Sequence, residues 1–108
     1  MEKIWHIVAM IPQGQISSYG KVADYAGLPG RARFVSTALK KAPSHLSLPW
    51  HRVLNSQGKI AFPKHSPAFR DQMQRLTLEG IQVENGRIKL TQFEWKPDIA
   101  TLVLSIPF

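Results

Sequence analysis

The sequence contains no cysteine, and this absence excludes several kinds of chemistry. Without a thiol, the chain can form no disulfide, no thiolate metal site and no covalent cysteine intermediate. Its four histidines, at positions 6, 45, 51 and 65, show none of the paired spacings that are typical of a zinc site. The sequence therefore predicts no bound metal and no cofactor.

Acidic residues and long apolar runs are also scarce. The 108 residues include 7 Asp and Glu against 14 Lys and Arg, and the sequence pI is near 10.2. Such an excess of positive charge favours polyanionic partners, either nucleic acid or an anionic membrane surface. No apolar run is long enough to cross a bilayer, and Met1-Glu2-Lys3 leads into an amphipathic pattern instead of a signal-peptide core. We therefore expect a single domain over residues 1–108, monomeric, cytoplasmic and without a membrane partner.

Two helices are predicted near the start of the chain. The first is an amphipathic helix that ends before Pro12, since apolar residues recur at spacings of three and four. These residues are Ile4, Ile7, Val8 and Ile11. Ser17 and Ser18 offer N-caps for a second helix, at about residues 19–26. Gly27 then suits the position after its C-cap.

A third helix, at about residues 31–41, has two different faces. One face is apolar and carries Val35, Ala38, Leu39 and Ala42. The other face has small side chains in the middle and cationic side chains at its ends; its residues are Arg33, Ser36, Thr37 and Lys40. Two short helices joined by a glycine-containing turn are typical of a helix-turn-helix. A solvated helix face explains the same pattern, so this pattern alone leaves DNA binding open.

A β-hairpin is predicted to follow as a wing beside the helix-turn-helix. Arg52-Val53-Leu54 and Lys59-Ile60-Ala61 are its strands, and the residues between them form a turn that ends at Gly58. The predicted fold class is therefore α+β, mainly helical: a winged helix-turn-helix in a single domain.

The last third of the chain is less regular. A fourth helix is predicted from Pro67, with Ser66 as N-cap, to Glu79-Gly80. Its inner side is expected to carry Phe69, Met73, Leu76 and Leu78. Glu84-Asn85-Gly86 is a strong signal for a type I′ hairpin turn. In the tail, Ile99, Leu102, Val103 and Ile106 have helical spacing, but flanking prolines leave the conformation open.

A central heptapeptide, Leu48-Pro49-Trp50-His51-Arg52-Val53-Leu54, supports an assignment to a family. It resembles the proline-cysteine-histidine-arginine-valine signature of the O6-alkylguanine-DNA alkyltransferases, with tryptophan in place of the acceptor cysteine. That replacement is typical of the subgroup called alkyltransferase-like proteins. Residues 16–23 resemble the start of the family's first DNA-binding helix, and residues 31–35 resemble its recognition helix. The resemblance is clearest over residues 4–90 and leaves residues 95–108 unplaced.

The resemblance implies a mode of DNA binding. In this family the recognition helix enters the minor groove, the residue at the position of Tyr19 crowds a phosphate to rotate the target nucleotide, and the residue at the position of Arg33 fills the vacated stack. An inserted planar cation recovers part of the cost of unstacking. The other DNA contacts expected from the resemblance are Ala32, Ser36, Thr37, Lys40 and Ser56.

The resemblance also implies a pocket for the flipped base. Its expected lining is Tyr19, Trp50, Val53, Phe62 and Lys64. The backbone carbonyls at positions 50 and 53 match groups that bind the guanine amine in the family. An indole in this pocket can pack on a base, but its ring NH is only a donor and its carbon is a poor nucleophile. Covalent dealkylation by a side chain at position 50 is therefore excluded on chemical grounds.

His51 and Glu79 occupy the positions that relay a proton in the alkyltransferases, and here we expect them to hold the loop in place. Two departures from the family pattern concern the surroundings of the pocket. Pro63 removes a backbone NH from the loop that covers the pocket, and Ala42-Pro43 replaces a hinge asparagine.

Three functions remain open at this point. The first is a non-enzymatic sensor that binds O6-alkylguanine in duplex DNA, flips the base and marks it for nucleotide excision repair proteins. The second is a winged-helix regulator that binds an undamaged sequence, which the heptapeptide argues against. The third is an enzyme in which His51, helped by Glu79, activates water to remove the alkyl group. The lack of metal ligands or a cofactor motif argues against this third function.

Overall fold

A computed structural model describes residues 1–105 and shows a mainly helical α+β domain. In chain order its elements are α1 (Glu2–Ala9), β1 (Ser17–Ser18), α2 (Tyr19–Tyr25), α3 (Ala32–Lys40), two 3₁₀ turns (Ser44–Leu46 and Trp50–Arg52), β2 (Val53–Leu54), α4 (Pro67–Leu78), α5 (Leu90–Phe93) and α6 (Ile99–Ser105). The predicted fold class is confirmed. Ile106, one of the tail residues with helical spacing, lies outside the described residues.

The predicted helix-turn-helix is formed by α2 and α3, and its turn depends on local capping. The Ser18 hydroxyl accepts a hydrogen bond from the Lys21 amide at 3.1 Å and so caps the start of α2. At the other end Gly27 has a φ of +77°, and the Leu28 amide donates to the Ala23 carbonyl at 2.8 Å. This is a Schellman ending, which needs a left-handed residue at the glycine position. It turns the chain directly into α3.

Buried apolar side chains form two clusters. The first lies between α1, α2 and α3 and contains Ile4, Ile7, Val8, Ile11, Val22, Ala23, Ala26, Val35, Ala38, Val53, Trp95 and Leu102. The second lies beneath α4 and contains Ile16, Leu54, Ile60, Phe69, Leu76, Ile81 and Ile88. The adjacent residues Val53 and Leu54 belong to different clusters, because successive side chains of a strand point to opposite sides. Strand β2 therefore joins the two halves of the core.

The predicted pairing of the wing is wrong. Val53 and Leu54 pair in parallel with Ser17 and Ser18, instead of antiparallel with residues 59–61. The turn itself is present, because the Asn55 amide donates to the Lys59 carbonyl at 3.0 Å. Beyond that turn, residues 58–60 bond to Gly86 and Ile88 of the second hairpin. Isolated hairpins of this length are marginal, and each strand here pairs with a different segment of the fold.

The type I′ turn is confirmed, since Asn85 and Gly86 both have positive φ, +52° and +75°. Helix α4 begins and ends where it was predicted to, with Ser66 capping the Phe69 amide and Gly80 at a φ of +85°. The prediction for Leu78 was wrong, because its side chain is 77% exposed at the end of the helix. Among residues 1–105, no helix has the length and apolar character needed to span a bilayer.

Candidate nucleic-acid interface

The parallel pairing of β1 with β2 brings together two segments that are far apart in sequence. Ser17 pairs with Val53 and Ser18 pairs with Leu54. Tyr19 follows β1 directly at the start of α2, and the 3₁₀ turn Trp50–Arg52 precedes β2 directly. Because the strands are parallel, Tyr19 leaves the ladder at its C-terminal end, and the Trp50–Arg52 turn enters it at the N-terminal end. The pairing therefore fixes how far apart these two segments lie.

Tyr19 and Trp50 line an open cleft of about 560 Å³, which we call the Trp50 cleft. Its full lining is Tyr19, Ser36, Leu39, Lys40, Trp50, Ala61, Phe62, Ala68 and Asp71. The Trp50 and Phe62 rings meet edge to face, with centroids 6.3 Å apart and planes at 82°. Burial raises the pKa of Tyr19, so its hydroxyl is protonated at neutral pH. The volume and the aromatic surface suit a small organic group such as a single base.

Helix α3 presents the predicted DNA-contacting residues beside this cleft. Ser36 and Lys40 line it, while Arg33 and Thr37 are exposed on the same helix and Ala32 is half-buried at its start. The Thr37 hydroxyl donates to the Arg33 carbonyl at 3.3 Å. The Arg33 guanidinium is therefore carried on a helix that borders the cleft.

Three other predicted site residues lie away from the cleft lining. Ser56 is exposed in the turn after β2, and Lys64 is exposed in the loop before α4. Val53 is only 1% exposed, and its side chain packs in the first core cluster. Its carbonyl oxygen accepts a hydrogen bond from the Gln72 side chain at 3.1 Å. Of the five residues expected to line the pocket, the structure thus brings together Tyr19, Trp50 and Phe62.

The Glu79 carboxylate lies beneath the Trp50–Arg52 turn and holds several segments together. His51 Nε2 is 2.6 Å from Glu79 Oε2, as the predicted pairing of these residues requires. Arg52 donates to the same carboxylate through Nε at 3.0 and 3.1 Å and through Nη2 at 2.7 Å, and its Nη1 donates to the Ile11 carbonyl at 2.8 Å. The Gly14 amide also donates to Glu79, at 3.0 Å. Three separate parts of the chain are therefore joined at one carboxylate.

Glu79 is strongly acidic in this environment. Burial on its own would raise its pKa, but the hydrogen bonds from Arg52, Gly14 and His51, together with the His51 charge, lower the pKa to about 2. The side chain is about 10% exposed, so these contacts are only weakly screened by water. Glu79 is thus a fixed anion at neutral pH and a very weak base.

Gln72 is a site residue that the sequence analysis missed. Its side chain is buried, and Nε2 donates to the carbonyls of His51 at 2.9 Å and Val53 at 3.1 Å. A signal was available, because position 72 falls between Phe69 and Leu76 on the inner face of α4. A polar residue at such a position requires hydrogen-bond partners. Gln72 fixes the backbone on both sides of Arg52.

Arg75 is a second residue that was missed. Its Cζ atom lies 5.5 Å from the centroid of the Trp50 ring, and its Nε donates to Asp71 Oδ1 at 2.9 Å. The two charged residues are one turn apart on α4. Cation–π contacts of this kind have no signature in spacing, because the tryptophan belongs to a distant segment.

Comparison with known proteins identifies the family. The family model described as 6-O-methylguanine DNA methyltransferase, DNA binding domain, matches residues 1–81. The chain belongs to this family. Within it, the chain matches proteins named as DNA base-flipping and alkyltransferase-like proteins, over nearly the whole length of both partners.

Two relatives and one solved structure illustrate this similarity. The DNA base-flipping protein of Vibrio parahaemolyticus is 44% identical over 96 residues, which cover 88% of this chain and 94% of that protein. Alkyltransferase-like protein 1 of Schizosaccharomyces pombe is 36% identical over 100 residues, which cover 88% and 93%. The crystal structure of S. pombe Atl1 in complex with damaged DNA containing O6-carboxymethylguanine matches with a TM-score of 0.80 and 36% identity, over 89% of this chain and 94% of that one.

Proposed function

We propose that this protein is a non-enzymatic sensor of O6-alkylguanine in duplex DNA. It docks α3 in the minor groove, rotates the modified nucleotide out of the helix and holds the base in the Trp50 cleft. The lesion is left chemically unchanged and is flagged for nucleotide excision repair. The relatives named as base-flipping and alkyltransferase-like proteins support this proposal, as does the relative solved with damaged DNA.

The single observation that carries the proposal is the half-buried Trp50 at the side of an open cleft next to α3. A tryptophan used only for core packing would be covered, whereas this indole borders a space that can hold a base. Contacts between a base and an aromatic ring are worth roughly 1–3 kcal/mol. In the family's enzymes a cysteine accepts the alkyl group, and this chain has no cysteine. Recognition without transfer is the function that this set of groups supports.

The state of Glu79 argues against one route to hydrolysis of the alkyl group, in which Glu79 itself is the base that activates water. A general base needs a pKa near the working pH, and the pKa of Glu79 is about 2. Its carboxylate already accepts hydrogen bonds from Arg52 and Gly14 in addition to its contact with His51. We therefore assign this cluster to holding the Trp50–Arg52 turn in place.

Docking through α3 follows from the positions of its side chains. Arg33 is exposed and can enter the base stack, while the small Ala32, Ser36 and Thr37 allow a close approach to the groove. Lys40 lies at the cleft and suits a phosphate contact. Because the proposed sensor leaves the lesion in place, a separate repair system has to act after recognition. We assign that role to nucleotide excision repair, with the protein acting as a cytoplasmic monomer.

A binding titration tests this proposal. Matched duplexes carry guanine or O6-methylguanine at one position, and the modified DNA is recovered afterwards and its base composition measured. The proposal predicts tighter binding to the lesion and full recovery of O6-methylguanine. Equal affinity for the two duplexes would contradict it and favour a regulator of undamaged sequence. Loss of the alkyl group with turnover would favour an enzyme.

Two further measurements test the nature of binding and its outcome. The logarithm of the association constant should fall linearly with the logarithm of salt concentration, because phosphate contacts release counterions. For the repair step, deleting the gene should increase sensitivity to an alkylating agent in cells with intact nucleotide excision repair. It should add no sensitivity where that pathway is already disabled. An additive effect of the two deletions would separate the protein from this pathway.

A further inference from the structure

The Trp50 indole separates two clefts. In front of it lies the Trp50 cleft, of about 560 Å³, and behind it lies a second cleft of about 360 Å³, which we call the rear cleft. Trp50 and Leu39 line both, and the rear cleft is otherwise bordered by Arg75 and by the segment that contains Pro43 and Leu48. The position of the indole therefore determines how this space is divided.

Arg75 contacts the indole from the rear. It lines the rear cleft and not the Trp50 cleft, and its Cζ atom lies 5.5 Å from the ring centroid. Its Nε also donates a hydrogen bond to Asp71 Oδ1 at 2.9 Å, which favours this orientation of the guanidinium. On the front side, the Phe62 ring meets Trp50 edge to face. The indole thus lies between the Phe62 ring and the Arg75 guanidinium, with the His51 ring also in edge-to-face contact at 6.1 Å. Arg75 is the charged residue on its rear side.

We infer that Arg75 is a specificity-determining residue, which holds the Trp50 indole forward and thereby favours compact O6 substituents over large ones. The inference rests on the proposed function, since it concerns which lesions the Trp50 cleft accepts. Without the guanidinium the indole can swing into the rear cleft, and the Trp50 cleft gains depth. A small methyl group then loses contact with the ring, while a benzyl group gains room.

The test measures dissociation constants for three matched duplexes that carry guanine, O6-methylguanine or O6-benzylguanine. The proteins are the wild type, Arg75→Ala, Arg75→Lys and Arg70→Ala. Arg70 is an exposed arginine on the same helix and serves as the control for loss of one positive charge. The Arg75 side chain is 50% exposed, so its replacement leaves the core intact, and thermal unfolding of each variant verifies this.

In Arg75→Ala the ratio of benzyl to methyl affinity should rise about two- to five-fold, the range expected for loss of an exposed cation–π contact. Arg75→Lys, which keeps a cation, should bring the ratio back towards the wild-type value. Arg70→Ala should leave the ratio unchanged. An equal loss of affinity for all three duplexes in Arg75→Ala would show a phosphate contact and overturn the inference, and so would an unchanged ratio. Failure of the wild type to distinguish O6-methylguanine from guanine would instead overturn the proposed function.

Discussion

Replacing Glu79 with glutamine should produce a loss of stability that depends on pH in a defined way. The folded protein holds the pKa of Glu79 at about 2, against 4.5 for an unperturbed glutamate. A depressed pKa contributes stability above the unfolded pKa, and that contribution is lost as pH falls through the folded pKa. A difference of about 2.5 pKa units, at about 1.36 kcal/mol each, gives about 3 kcal/mol at pH 7.

The same pKa difference determines how the stabilising contribution of Glu79 decreases below pH 4.5. The contribution of Glu79 should fall to about 1.4 kcal/mol at pH 3 and to well under 1 kcal/mol at pH 2. Glutamine cannot ionise, so the difference between wild type and Glu79→Gln should shrink along this course. The other carboxyl groups titrate alike in both proteins and cancel in the difference. Urea unfolding followed by circular dichroism at pH 7, 5, 4, 3 and 2 measures the difference at each pH.

Glu84 provides the matched control, because its side chain is exposed on the second hairpin. Glu84→Gln should change the free energy of unfolding by no more than about 0.5 kcal/mol at any of these pH values. A loss of less than about 1 kcal/mol at pH 7 in Glu79→Gln would refute a strongly lowered pKa for Glu79. A loss that is the same at pH 3 as at pH 7 would refute it as well.

Three further predictions concern the turn, the cleft and the helix. Gln72→Leu should lower the free energy of unfolding by about 2–3 kcal/mol in a urea titration, because two backbone carbonyls lose their donor; a loss below about 0.5 kcal/mol would contradict those hydrogen bonds. Trp50→Ala should weaken binding to an O6-methylguanine duplex by about 5- to 150-fold, the equivalent of 1–3 kcal/mol, with little effect on a guanine duplex. Arg33→Ala should weaken lesion binding more than guanine binding, and Lys41→Ala, at the exposed end of α3, should weaken both alike. Fluorescence anisotropy measures the affinity of the Trp50, Arg33 and Lys41 variants for both duplexes. An equal loss of affinity for the two duplexes in Arg33→Ala would exclude insertion of Arg33 into the base stack.

The helical part of the fold was predictable because its signals are local. Ser18 and Gly27 define the ends of α2 through contacts within six residues, and Gly80 ends α4 in the same way. Leu78 was misplaced because the helical periodicity was extended into the residue where the helix already ends. The exact end of a helix is the feature that a hydrophobic periodicity predicts least well, because helix ends fray by about one or two residues.

The strand pairing was not predictable, because it joins residues 36 positions apart through strands of two residues. Such strands are too short to show an alternating pattern, and the adjacent turn signal favours the wrong partner. The same holds for the contacts around the site. The resemblance paired Glu79 with His51, but the three hydrogen bonds from Arg52 to that carboxylate depend on distances in the folded chain.

The two-residue ladder between β1 and β2 also restricts how the chain can change in length. It fixes the register between Ser17 and Val53. It therefore also fixes the separation between Tyr19, which is expected at the phosphate, and Trp50, which is expected at the base. A slip of one residue would turn Val53 and Leu54 to the opposite sides and exchange their core clusters. An insertion or deletion between a strand and its site residue would instead change the separation of Tyr19 and Trp50, whereas the exposed turn at Ser56 can change length with neither effect. Natural length variation among related chains should therefore concentrate in that turn and be absent next to Tyr19 and Trp50.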